Sequence, residues 1–309
     1  MKRFVLVALA LALYLCACEP AKTSTASLEG IEPVLGDMWK RSTDEMDMVF
    51  VPSGAFSMGS NREMVKYAQQ LCNESGSDMA IATCRSAAFV DEQPAHRVRL
   101  DSFWLDRTEI SNRQYRICVE ADVCVQPCLN SSFSRLSYHD NPVYADYPVI
   151  NVDFYMASTY CSWVGARLPT ETEWEYAARG PESLVFPWGN TFERSKLNYC
   201  DVNCNGLSAG TFDDDYPDTA PIGTFPSGAS WVGALDMAGN VREWVSDTYT
   251  YYQSGEAVNQ SGIDTEELKI PRGGSWYDKP DDVRSANRGG ELPDYFRHNL
   301  GFRCAQDTE

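Results

Sequence analysis

The sequence predicts an α+β domain low in regular secondary structure, and three observations carry that expectation. The chain has 309 residues, 43% of them hydrophobic, with 8 Trp, enough to bury a substantial core. Its 21 Gly and 16 Pro are scattered without period, as in a chain that turns often. The periodic segments are short: a capped helix pattern at residues 170–180 stands between loops, and brief strand-like runs occur at 48–52 and 103–105.

The formal charge is −18, which argues against a nucleic-acid ligand, because that affinity comes from cationic contacts to phosphate. Acidic excess most simply gives solubility, with calcium-binding loops as a more specific reading.

In chain order, Lys2 and Arg3 precede an apolar run from Phe4 to Leu13, the pattern of an export signal and too short to favour a membrane span. The string Leu15-Cys16-Ala17-Cys18 resembles a bacterial lipobox with Cys18 as the acylated residue. Residues 1–17 are therefore read as a lipoprotein signal peptide and 18–45 as a Ser/Thr/Pro-bearing flexible tether, with the folded domain at 46–309. Glu19 after the cysteine is not the aspartate associated with inner-membrane retention, so the expected location is the cell envelope, outer membrane over inner.

Order is expected from Met48-Val49-Phe50-Val51-Pro52, an alternating strand, leading to Gly54-Ala55-Phe56-Ser57-Met58-Gly59. Residues 61–90 read as an irregular insertion, and 91–98 with 103–105 as a strand pair. Thr108-Glu109-Ile110-Ser111-Asn112 opens a helix carrying Tyr115 and Cys118. Pro148-Val149-Ile150-Asn151-Val152 reads as a buried strand, and residues 154–164 as a helix. Thr170 with Glu173 forms a capping box, Trp174, Ala177 and Ala178 recur at helical spacing, and Gly180 supplies the stop. Residues 198–216 form a loop rich in Asp and Asn.

Several literal strings are far more specific than these patterns. They are Arg167-Leu168-Pro169-Thr170-Glu171-Thr172-Glu173-Trp174-Glu175-Tyr176-Ala177-Ala178-Arg179-Gly180, Asp236-Met237-Ala238-Gly239-Asn240-Val241-Arg242-Glu243-Trp244, Arg272-Gly273-Gly274-Ser275-Trp276 and Asn299-Leu300-Gly301-Phe302-Arg303-Cys304. With the Thr108–Asn112 string they resemble, in order, the sulfatase-modifying factor family of formylglycine-generating enzymes, over about residues 46–306. The resemblance implies a formylglycine-generating-enzyme-like, C-type-lectin-like fold.

It also implies sites. Asp236, Gly239, Val241 and Glu243 match one family calcium loop; Asn198, Tyr199, Asp214 and Tyr216 correspond to the other. Calcium takes six to eight hard oxygens, carboxylate and carbonyl mixed, so one or two structural ions are expected. The family's substrate cleft would be lined by Ser275, Trp276 and Asn299, with Arg288 as a further candidate. Arg272, Arg288 and Arg303 are also read as loop anchors in buried carboxylate pairs.

The oxidase members bind copper(I) through two cysteines shortly after the Gly-Gly-Ser-aromatic string. Here residues 277–284 (Tyr-Asp-Lys-Pro-Asp-Asp-Val-Arg) hold no cysteine, and their carboxylates are too hard for Cu(I). The positions of a second oxidase disulfide are Ala178 and Ser285, and a family tryptophan is replaced by Arg242. No catalytic residue or copper is therefore expected. Iron chemistry is disfavoured because His96, His139 and His298 lie in unrelated segments.

Export makes the cysteines disulfide candidates. Cys16 and Cys18 aside, nine remain, so at least one thiol is left over. Cys72–Cys84 and Cys200–Cys204 are local pairs, Cys118, Cys124 and Cys128 compete for one bond, and the resemblance implies Cys161–Cys304. A zinc site is the rival, without the paired Cys-x-x-Cys spacing that would favour it. The sequence thus points to a lipid-anchored binding or accessory protein with an unknown protein, peptide or glycan ligand. The alternative is an enzyme of the family with diverged oxidoreductase chemistry.

Overall fold

Three small sheets and four helices wrap one another in the computed structural model, which describes residues 32–74, 84–203, 212–259 and 267–308. In the first sheet β1 (Met38–Lys40) pairs with β2 (Asp47–Val51), β2 with β5 (Phe103–Asp106), and β5 with β10 (Ala305–Asp307), all antiparallel. The second joins β3 (Gly54–Met58) to β4 (His96–Leu100) antiparallel, and β4 to β7 (Ala257–Val258) parallel. In the third, β6 (Arg242–Thr248) lies between antiparallel β8 (Lys269–Arg272) and parallel β9 (Leu300–Phe302).

β2 does not alternate as its sequence suggested, because cores lie on both sides of it: Met48 packs in one apolar cluster and Val49 and Val51 in another. The runs at 91–98 and 103–105 do not pair with each other either; β4 and β5 go to different sheets. Sheet structure also begins earlier than the expected boundary at residue 46. Arg41, 2% exposed, is clamped between Asp44 and Asp106, so the end of the expected tether is structural.

The first helix, α1 (Arg62–Glu74), occupies part of the expected irregular insertion; Asn61 Oδ1 accepts the amides of Glu63 and Met64 as a cap, and Val65, Ala68 and Leu71 face inward. α2 (Asn112–Glu120) starts at a capping box made by Ser111 and Gln114. α3 (Phe154–Trp163) is capped by Asp153. The expected strand at 148–152 is buried and extended without a ladder: Ser111–Pro148 is an isolated bridge, and Val149 and Asn151 donate to the carbonyls of Ile110 and Arg297.

The last helix, α4 (Glu171–Arg179), carries the expected Thr170–Glu173 capping box and stops at Gly180, whose φ is +68°. All nine residues are buried, not one face. Trp174, Tyr176, Ala177 and Ala178 pack in the second core. The charged positions are answered internally: Glu171 by Arg288, and Glu175 by Arg179 and Arg272. A helix buried on every side positions the loops on either side of it.

Candidate functional site

Ser275, Trp276 and Asn299 are brought together at the meeting of the third sheet and the loop after β8. Asn299 Nδ2 donates to Ser275 Oγ at 2.9 Å, and Ser275 Oγ donates to Asp278 Oδ2 at 2.6 Å. Asp278 in turn holds Arg242 through two hydrogen bonds of 2.9 and 2.7 Å. The residue that replaces the family tryptophan thus forms an ion pair across the segment where oxidases place their cysteines. Ser275 is fully buried, and Trp276 and Asn299 are 3% exposed, so these three side chains pack on one another rather than face solvent.

Arg288 does not join them. Its guanidinium donates twice to Glu171 at 2.7 Å and once to Thr250 O, and stacks over Tyr252 at 4.1 Å. That fork is committed to α4 rather than offered to a ligand. Arg272 and Arg303 are anchors in the same sense, paired with Glu175 and Glu243.

Beside them lies a pocket of about 130 Å³ lined by Phe133, Tyr277, Arg297, His298 and Asn299. Phe133 lies 5.2 Å from Trp276 and 5.4 Å from His298, ring centre to ring centre. Burial and the neighbouring Arg297 depress the His298 pKa, which favours the neutral ring. Phe133, Arg297 and His298 were not legible as site residues; only the positions beside the Asn299 string hinted at the last two.

At the first calcium-type loop, Glu243 is buried and saturated. Arg303 donates to both its oxygens at 2.6 and 2.7 Å, and Trp174 Nε1 donates at 2.7 Å. Asp236 Oδ2 accepts the Gly223 amide. Gly239 and Val241 contribute backbone, and the Asn198 carbonyl would meet any Cβ at Gly239 at 2.1 Å. Glu109, in the sequence only part of a helix start, accepts from Asn240 with one oxygen, while its buried Oε2 has no partner among the described residues. Burial, then Asp236 and Glu243, push its pKa well up. The donor set is oxygen-rich, but Glu243 is already balanced by Arg303, which fits a cation less readily.

The second loop fits better. Asp201, Asp213 and Asp214 each bring a carboxylate oxygen within 4.8 Å of the others. Asp214 Oδ2 and Asn198 Oδ1 are buried without hydrogen-bond partners among the described residues. Burial first, and Asp201 among its neighbours, push Asp214 up to about 7, the response of a carboxylate short of positive charge. Tyr199 is buried beside them and Tyr216 half-buried, its amide bound to Asp214 Oδ1. Clustered hard oxygens with unused lone pairs suit calcium. Asp201, absent from the expected ligands, was available in the same Asp/Asn-rich loop.

Disulfides join Cys72–Cys84, Cys118–Cys124 and Cys161–Cys304, leaving Cys128 as an exposed thiol. The competition among Cys118, Cys124 and Cys128 is thereby resolved. The expected Cys200–Cys204 pair involves Cys204, which lies outside the described residues. Among the described residues no helix is long and apolar enough to cross a membrane.

A sparse α+β scaffold, buried arginine–carboxylate anchors and acidic loops define a sulfatase-modifying-factor type of domain. The chain belongs to that family: the model for the sulfatase-modifying factor enzyme 1-like domain matches residues 35–308. It is 34% identical to the serine/threonine-protein kinase Pkn1 of Chlamydia trachomatis, over 71% of this chain and 35% of that protein, so it spans about a third of the kinase's length. It is 28% identical to the formylglycine-generating enzyme of Bos taurus, over 86% of this chain and 76% of that enzyme. The structure of PvdO from Pseudomonas aeruginosa has the same fold, with a TM-score of 0.68 at 24% identity, covering 90% of this chain and 100% of PvdO.

Proposed function

We propose that this protein is a lipid-anchored, exported binding or accessory module that uses the family scaffold without the oxidase chemistry. The observation that carries this reading is the segment 277–284. It has no cysteine, and its Asp278 is spent on Arg242 and Ser275. Copper(I) needs soft thiolates, and buried hard carboxylates do not replace them. Incubation with a Cys-x-Pro-x-Arg peptide and Cu(I), followed by mass spectrometry, is expected to leave the thiol intact. Aldehyde formation above a no-enzyme control overturns the reading and favours the alternative, a family enzyme with diverged oxidoreductase chemistry.

Export and anchoring rest on Lys2, Arg3, the apolar run and Cys18. A Cys18→Ser variant is expected to lose lipid labelling and move to the soluble fraction; unchanged membrane partitioning removes the anchor. Calcium is assigned a structural role, with Asp201, Asp213 and Asp214 holding the second loop and the loop of Asp236 and Glu243 as a second candidate. Binding to the native state alone stabilises by about 2.7 kcal/mol at a hundredfold excess over Kd. Asp214→Asn is expected to abolish most of the calcium-dependent rise in Tm, and a Tm indifferent to calcium and chelator alike removes the ion.

A further inference from the structure

The pocket beside Ser275 and Trp276 has a composition of its own. Three of its five lining residues carry rings, Phe133, Tyr277 and His298; Phe133 packs 5.4 Å from His298 and 6.4 Å from Tyr277, centre to centre, and 5.2 Å from the buried Trp276. Trp276 donates its indole N–H to the His298 carbonyl and lies 5.3 Å from Tyr277, which backs two of these rings with a fixed side chain. Phe133 is 44% exposed, an apolar ring left partly in water at the rim. It comes from a loop with little charge that also exposes Val125, Leu129 and Leu136, the last at 97%.

The charge at the rim is Arg297. It is exposed, lies against the Tyr295 ring at 5.5 Å, and has no carboxylate in ion-pair distance among the described residues. The interior arginines, by contrast, are answered by carboxylates. A guanidinium presents parallel N–H donors suited to a carboxylate. Aromatic walls suit a ring, since offset and edge-to-face ring pairs are attractive beyond their buried area.

We propose that this pocket takes an aromatic carboxylate: a ring lying in the pocket against the free surfaces of Phe133, Tyr277 and His298, its carboxylate on Arg297. The volume of about 130 Å³ admits one ring and little more. The same chemistry is offered by a free aryl acid and by the C-terminal aromatic residue of a peptide. The assignment rests on the reading of the protein as a binding module, since a site built for redox chemistry would use its walls differently.

The test is isothermal titration of the exported domain with benzoate, with N-acetyl-Gly-Gly-Phe bearing a free C-terminus, and with the amide of that peptide. Saturable one-to-one binding of at least one acid is expected, and none of the amide. Tighter binding of the peptide acid than of benzoate points to a protein C-terminus, and the reverse to a small molecule. Arg297→Gln is expected to weaken the bound acid about tenfold or more, the scale of one charge-assisted hydrogen bond. Phe133→Ala is expected to weaken it by a similar factor through loss of the ring contact. Both positions are exposed, so the variants should fold, which their melting curves check. Acid and amide binding alike, no saturable binding of either acid, or affinity unmoved by Arg297→Gln overturns the proposal. The peptide-oxidation assay is read separately: aldehyde formation sinks the binding-module reading even when the acid binds.

Discussion

Arg303 is 0% exposed and serves five acceptors: both oxygens of Glu243 and the carbonyls of Asp106, Arg107 and Leu235. Glu109 and Asp236 stand close enough to be felt by it, so it is the cation for three buried acids. Removing one member of a buried pair leaves an uncompensated charge, typically at a cost of about 3–5 kcal/mol. Arg303→Met is expected to lose that much in denaturant unfolding, and a loss below about 1 kcal/mol would mean that the acids are protonated or otherwise balanced. His139 gives a residue-scale effect of pH. It is 2% exposed, its Nδ1 faces Asn112 Oδ1 at 3.2 Å, and its Nε2 has no partner among the described residues. Burial first depresses its pKa to about 4 from the ordinary 6.5, with Arg116 adding to the effect and Asp140 opposing it. The unfolded imidazole therefore takes up a proton before the folded one as pH falls. Stability from this group is present above 6.5 and is lost progressively towards 4. Wild type minus His139→Gln, measured as Tm against pH, isolates it from the buried carboxylates that shift the other way. A difference flat across that window excludes the mechanism.

At the scale of elements, what was legible was local. The α4 cap reads directly from Thr170 and Glu173, and in the structure Thr170 Oγ1 accepts the Glu173 amide while Glu173 accepts the Thr170 amide. Glu173 also binds Arg167, which ties the preceding loop to the helix start. Thr170→Ala is expected to cost about 1 kcal/mol, with the near-ultraviolet spectrum kept, because the packing of Trp174 does not depend on the hydroxyl. No change in the urea midpoint would mean that the Glu173 half of the box suffices. Helix α1 was missed although Asn61 signalled it, because its inward stripe of Val65, Ala68 and Leu71 is narrow among polar residues. The segment 148–152 was over-read for the opposite reason. A buried apolar run looks the same whether its amides meet a ladder or scattered loop carbonyls, and here they meet Ile110 and Arg297. Strand partners are set by distant chain, so nothing near residues 96–106 says that its two runs join different sheets. The cleft shows the same limit. Ser275, Trp276 and Asn299 were found from strings, whereas Phe133 arrives from a loop more than a hundred residues away in sequence.

For the whole molecule, long-range ties do the work that extended sheets do elsewhere. Arg284 reaches Glu92 and Arg288 reaches Glu171, each fully committed inside the protein. The longest covalent tie is Cys161–Cys304, spanning a sequence separation of 143 between α3 and the approach to β10. Both sulfurs are buried in the core that holds Tyr115, Tyr160, Trp244 and Phe302. Closing a loop of that length restricts the unfolded chain and stabilises by about 4–5 kcal/mol in the chain-entropy model. The ends are also joined without it: β10 pairs with β5, Arg167 bridges Ala305, and the Cys304 amide donates to Asp106. A Cys161→Ala, Cys304→Ala variant is therefore expected to fold, because the register of the C-terminal strand is set by hydrogen bonds. It should nevertheless unfold about 4–5 kcal/mol earlier, with a small further loss from the two cavities. Cys72–Cys84 closes a separation of only 12, so a Cys72→Ala, Cys84→Ala variant should lose less. Equal losses from the two variants in urea unfolding would refute the loop-length account and place the stabilisation in local packing around each bond. A Cys161→Ala, Cys304→Ala protein that failed to fold would show that the C-terminal strand needs its covalent tie to find β5.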